Sequence, residues 1–144
     1  MNIEAANRQR KYKVDLKSIK QNADKILSLC RAGDSELSIL IVNNRAMRTL
    51  NRQYRGIDKP TDVLAFPAPS PHRGEGRLLR FLGDIVISME KVYAQAAERG
   101  HSPDMEFKIL LIHGILHLLG YDHEVSDTEA RRMRRKEKLI LSGL

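Results

Sequence analysis

Three of the five histidines in this 144-residue chain fall within eleven residues, at His113, His117 and His123. The first two are four apart, so on a helix they share a face, about 6 Å of rise from one another. Two imidazole nitrogens so placed can reach one ion at about 2.0–2.1 Å, the usual Zn–N distance. Gly120 is suited to end that helix with a positive φ, so the chain can turn back and bring in His123 as a third ligand. Three neutral nitrogen ligands leave a position open for water, the pattern of a catalytic rather than a structural zinc. At these intervals the histidines point to a metal rather than to three unrelated imidazoles. Ligand type favours zinc, although three imidazoles also accept nickel, cobalt or copper.

Zinc peptidases of the His-Glu-x-x-His type carry their general base directly after the first histidine. Here that position is Gly114, so the site reads as metal-assisted hydrolysis with peptide cleavage disfavoured. Asp84, Asp122 and Glu124 are candidate bases, each with a structural alternative: a partner for a ligand histidine, a turn, and a solvated side chain. Thr61 and Asp62 read as a turn into a strand. A zinc peptidase-like hydrolase and a non-catalytic RNA- or ribosome-binding module with structural zinc are the rival readings. Structural zinc normally closes with a fourth protein ligand, and the single thiol, Cys30, lies far away in sequence.

Charge indicates the substrate class. There are 25 Lys+Arg against 18 Asp+Glu, a net charge of +7, which suits a polyanionic partner. Arg45, Arg48, Arg52 and Arg55 occupy a helical arc of about 80° at 100° per residue. Met47, Leu50 and Tyr54 form the side expected to pack. Four guanidiniums on one face suit phosphate. A second cluster, Arg131, Arg132, Arg134, Arg135, Lys136 and Lys138, is either a solvated helix face or a contact with RNA or a ribosome. Arg8, Arg10, Lys11 and Lys13 are too local to interpret. With no Trp, three Phe and four Tyr, base stacking has few candidates, which favours backbone contacts.

The elements that must position these residues alternate along the chain. A short strand is expected at Asn2–Arg8, then an amphipathic helix Leu16–Cys30 that includes Cys30 in its apolar series. Leu37–Val42 reads as a buried strand, followed by the arginine helix capped by Asn43 or Asn44. Asp62–Phe66 is a second strand, stopped by Pro67. Residues 67–80, with three prolines, two glycines and His72, read as a loop. Phe81–Ser88 is another strand and Met89–Arg99 a helix closed by Gly100. Ser102, Pro103 and Asp104 start the metal helix, whose apolar residues surround its whole circumference and so predict burial. Ser126 and Glu129 make a capping box for the last helix, with Ala130, Met133, Ile140 and Leu141 inward. His72 and His101 read as surface histidines. The fold class is α/β: one mixed sheet of about four strands packed with about five helices. Residues 1–144 read as a single domain. No apolar run is long enough to span a membrane, and one lone cysteine fits a reducing cytoplasm.

With these pieces assembled, the chain resembles the YbeY-type endoribonucleases, the rRNA maturation factors. The resemblance spans roughly residues 36–141 and rests on Leu50, Asn51, Tyr54, Arg55 and Gly56; on Pro60 through Pro67; on Leu82, Gly83, Asp84 and Ile85; and on the histidine segment to His123. It implies a mixed α/β fold with a zincin-like metal helix. It implies one zinc per chain on His113, His117 and His123, and single-strand-specific RNA cleavage in rRNA maturation, at the 3′ end of small-subunit rRNA, and in ribosome quality control. The partners it implies are rRNA, the small ribosomal subunit and its assembly factors, with no DNA and no membrane. Arg55 is similar to the family's functional arginine; Arg45, Arg48 and Arg52 are candidate RNA contacts from their spacing alone, with a solvated face as the alternative. Ala65 stands where the family usually has Ser, which removes a hydroxyl beside the expected groove.

Overall fold

Short β-branched runs alternate with capped amphipathic segments, and each becomes one element. The computed structural model describes residues 2–69 and 80–144. The order is β1 (Ile3–Asn7), α1 (Leu16–Leu29), β2 (Ser35–Val42), α2 (Asn44–Arg55), β3 (Val63–Pro67), β4 (Arg80–Ser88), α3 (Met89–Arg99), α4 (Pro103–Leu118) and α5 (Asp127–Gly143). These four strands form one mixed sheet in the order β1-β2-β4-β3. β1, β2 and β4 run parallel, and β3 closes the β4 edge antiparallel. The expected class, strand number and helix number therefore hold among the described residues, with ends displaced by one or two positions. The segment 70–79, including His72, lies outside the described residues; Pro67 ends β3 rather than starting a loop.

Side chains alternate across a strand, so the sheet has two buried faces. Leu37, Ile39 and Ile41 of β2 join Ile85 and Ile87 of β4 beneath α1, α4 and α5 in the main core. The opposite face carries a smaller cluster, Val42, Met47, Leu64 and Val86, where α2 lies. That two-sided covering is why β2 reads as a continuous apolar run rather than an alternating one.

Two local features fix how β4 meets its neighbours. Glu36 pairs with Phe81 but Leu37 pairs with Gly83, so Leu82 is an extra residue on β4, a bulge that bends the strand. Gly83 has φ 140°, and a Cβ there would sit 2.2 Å from the Phe66 carbonyl oxygen. No side chain fits where β3 and β4 approach this closely.

The metal helix is built as its sequence implies. Ser102 Oγ accepts the Met105 N–H at 3.1 Å, with Pro103 in the first turn. α4 packs against α1, α3, α5, β3 and β4, and Leu111, Ile112, Ile115 and Leu116 are fully buried. Gly114 lies against β4: a Cβ would meet Ile85 Cγ2 at 3.1 Å. The glycine thus lets the helix settle onto the sheet. Among the described residues, no helix is long and apolar enough to cross a membrane.

Candidate metal centre

α4 carries His113 and His117 on one face, and the chain beyond it returns. The helix ends at Leu118 with Leu119 as its cap, Gly120 takes φ 104°, and the Tyr121 N–H donates to the Leu116 carbonyl at 3.0 Å. Asp122 Oδ1 then accepts the Glu124 N–H at 2.9 Å, which holds the turn that carries His123. The result brings one nitrogen from each of His113, His117 and His123 within 4.8 Å of the other two.

The protonation pattern suits metal binding. His113 Nδ1 lies 2.8 Å from Glu137 Oε2 on α5. A carboxylate accepts, so Nδ1 carries the proton and Nε2 presents its lone pair. Burial, reinforced by the His113 and His123 imidazoles, holds the His117 pKa below the ordinary histidine range, so the ring is neutral near pH 7. His113 Nε2 and His117 Nε2 are 3.2 Å apart. Two nitrogens each about 2.0–2.1 Å from a tetrahedral ion would be separated by about 3.3 Å. The donor set and its spacing fit a zinc-like cation. Among the described residues no fourth side-chain ligand joins the group. Cys30 instead packs on the main core, its thiol pKa pushed up by burial and opposed by Lys136.

The histidines lie in a cleft of about 770 Å³ between α4, β3 and the end of α2. Arg55 lines it, as do Thr61, Asp62 and Ala65. Gly56, at φ 71°, caps α2 and receives the return of the chain. Asn51, buried in α2, donates from Nδ2 to the Lys59 carbonyl at 2.8 Å, fixing the loop that leads from Arg55 to β3. Asp62 Oδ1 accepts the Val63 N–H at 2.7 Å, the turn expected of it.

The other arginines of the stripe are not in this cleft. Arg45 is exposed. Arg48 makes two hydrogen bonds to Asp58, at 2.9 and 3.1 Å, and Arg52 approaches the same carboxylate at 3.6 Å. The packed side of α2 also differs from expectation: Met47 is buried, but Tyr54 is 66% exposed and meets Phe66 edge-on. The second buried residue of α2 is Asn51 rather than Tyr54, and its amide bonds the loop.

Asp84 is excluded as a base or as a histidine partner. It is exposed and lines a separate hollow with Glu4, Ser38 and Phe66. Ile85, its neighbour, faces α4, and strand alternation sends Asp84 to the other face. The true histidine partner, Glu137, was missed by sequence reasoning. Its signal was available: it is the one acid within the cationic run 131–138 of α5, and it falls between the buried Met133 and Ile140 at helical spacing. Arg99 of the cleft and the fully buried Glu106 were missed too. His101 is no free surface residue, since its Nε2 lies 2.7 Å from Glu106 Oε1.

Comparison with known proteins gives a consistent set of likenesses. The family model described as endoribonuclease YbeY matches residues 4–144. An endoribonuclease YbeY of Roseiflexus castenholzii is 48% identical over 115 residues, covering 78% of this chain and 72% of its own. That of Thermodesulfovibrio yellowstonii is 42% identical, with 100% and 98% covered. The solution structure of a Thermotoga maritima protein superposes with a TM-score of 0.65 at 30% identity, over 96% of this chain and 86% of that one.

Proposed function

The chain belongs to the endoribonuclease YbeY family, and from that premise we propose that it is a metal-dependent endoribonuclease. Its substrate is single-stranded RNA in rRNA maturation, including the 3′ end of small-subunit rRNA, and in ribosome quality control. The observation that carries this reading is the convergence of three imidazoles and Arg55 on one cleft. We assign one zinc per chain to His113, His117 and His123, the small ribosomal subunit and its assembly factors as partners, and the cytoplasm as the compartment.

When bound, the ion supplies a Lewis acid that polarises a phosphoryl oxygen and makes water more acidic. The chain's own residues do the rest. Glu137 keeps the His113 proton on Nδ1 and its ring oriented. Arg55 offers a planar fork of donors to the charge that develops on the phosphoryl oxygens. Among the described residues, three carboxylates line the cleft, at Asp62, Asp122 and Glu124. Asp62 and Asp122 accept backbone N–H groups. We assign proton acceptance to Glu124, which is 71% exposed and 3.9 Å from His123. Ala65 puts a methyl where a hydroxyl would otherwise face the cleft, so no side-chain donor at that position contributes to binding.

Incubating the purified protein with single-stranded RNA and with casein, each with and without chelator, tests the reading. Chelator-sensitive cleavage of RNA and intact casein are expected. Casein cleavage would favour a peptidase, and RNA binding without cleavage a non-catalytic module.

A further inference from the structure

We propose that Arg99 is a second RNA-binding cation of the cleft, and that the buried Glu106 is the mount that holds it there. The proposal deepens the endoribonuclease reading and rests on it. Glu106 is a carboxylate with 0% exposure in the first turns of α4. A carboxylate so placed must be fully hydrogen-bonded to be tolerated, and it is. Gln95 Nε2, Arg99 Nη1 and His101 Nε2 each lie 2.7 Å from one of its oxygens. Three residues from the end of α3 and the turn after it thus converge on one buried group.

Arg99 alone of the three reaches the cleft that holds Arg55 and the histidines. Its side chain is 51% exposed, so one edge is anchored and the rest of the guanidinium is presented. Among the described residues, Glu106 is its one hydrogen-bond acceptor, and a guanidinium has five N–H donors. The unused donors suit a phosphate. Position along the cleft sets which phosphate. Glu106 and His113 are seven residues apart on α4, about 10 Å along the axis on the same face. Arg99 therefore takes a phosphate flanking the scissile one, and it acts on substrate binding rather than on the chemical step. A long flexible arginine would lose much rotamer entropy on gripping RNA; the Glu106 anchor has already spent it.

RNA binding and single-turnover cleavage of Arg99→Gln, Arg99→Lys and Glu106→Gln test this, with metal content as a control. In Arg99→Gln the protein concentration for half-maximal single-turnover cleavage should rise about tenfold, while the rate at saturating protein stays within about twofold. Its log–log salt slope of RNA binding should shrink by about 0.7, the share of one single-strand phosphate contact. Arg99→Lys should keep the wild-type slope. Glu106→Gln should weaken binding yet retain the slope, because the charge persists and only its placement loosens. If Glu106→Gln does not fold, the Arg99 pair decides alone. An unchanged slope and half-saturation in Arg99→Gln would overturn the proposal and leave Arg99 as the counterion of Glu106. If the wild type binds RNA without cleaving it, the endoribonuclease reading fails, and the salt slopes still decide the role of Arg99.

Discussion

His113 and His117 can share an ion because α4 fixes their Cα atoms one turn apart, but what readies them differs. The His113 tautomer is set by Glu137 from another helix, whereas His117 is kept neutral by burial and by its neighbours. His117→Ala should remove a ligand outright and lose most bound zinc, checked by metal content after dialysis; near one zinc per chain would disprove the assignment. Glu137→Gln should be milder, weakening metal affinity by about 10- to 100-fold, the usual range for a partner of a ligand. A competition titration with a chromophoric chelator measures it, and an unchanged affinity would reduce Glu137 to a surface residue. Arg55 lines the same cleft, and its proposed role is in the chemical step. Arg55→Glu, and less severely Arg55→Lys, should lower single-turnover cleavage by about 10²-fold or more at saturating protein with zinc content intact. Full rate in Arg55→Lys would make it a binding residue only.

At the scale of elements, the cleft floor depends on α4 sitting close to β4. Gly114 gives up about 1 kcal/mol of helix propensity relative to Ala, and the structure supplies the reason, a Cβ at 3.1–3.4 Å from three Ile85 side-chain carbons. Ile85 is fully buried and has little room to yield. Gly114→Ala should therefore destabilise by on the order of 1 kcal/mol, because overpacking outweighs the propensity gain. Ile85→Val removes one of the crowded carbons, so the double variant should be more stable than the two single effects add up to. Urea unfolding of the four proteins tests this; strict additivity would mean that Ile85 is not what Gly114 accommodates.

At the scale of the whole molecule, the net charge of +7 overstates what any one surface offers to RNA. Folding sets Asp58 against Arg48 and Arg52, so two cations of the α2 stripe start out paired. Asp58 is held below the usual carboxylate range by that Arg48 hydrogen bond, so its charge persists at working pH. If the stripe contacts RNA, as its spacing suggests, Asp58→Asn should release both arginines and tighten RNA binding at low salt. The log–log slope against salt should become steeper by up to about 1.4, two contacts at about 0.7 each. Filter binding across a salt series reads this directly, and no change would make the stripe a solvated face.

The elements and the three candidate ligands were legible in local patterns of the chain. The metal helix, its Ser102 cap, the His113–His117 spacing and the buried β2 strand are local patterns, and the physics behind them acts within one or two helical turns or along one strand. The return of His123 was legible for the same reason, since Gly120 is only three residues away. Which distant groups meet depends on packing between elements. Glu137 reaches His113 across 24 residues, Asp58 folds back from just beyond α2 onto Arg48 and Arg52, and Asp84 is sent to the opposite face by the strand pairing. Glu106 carries no local signal of its burial; packing removes it from water and three partners meet it. Such choices depend on which faces the sheet and helices bury against one another, and no periodicity within a single segment encodes that.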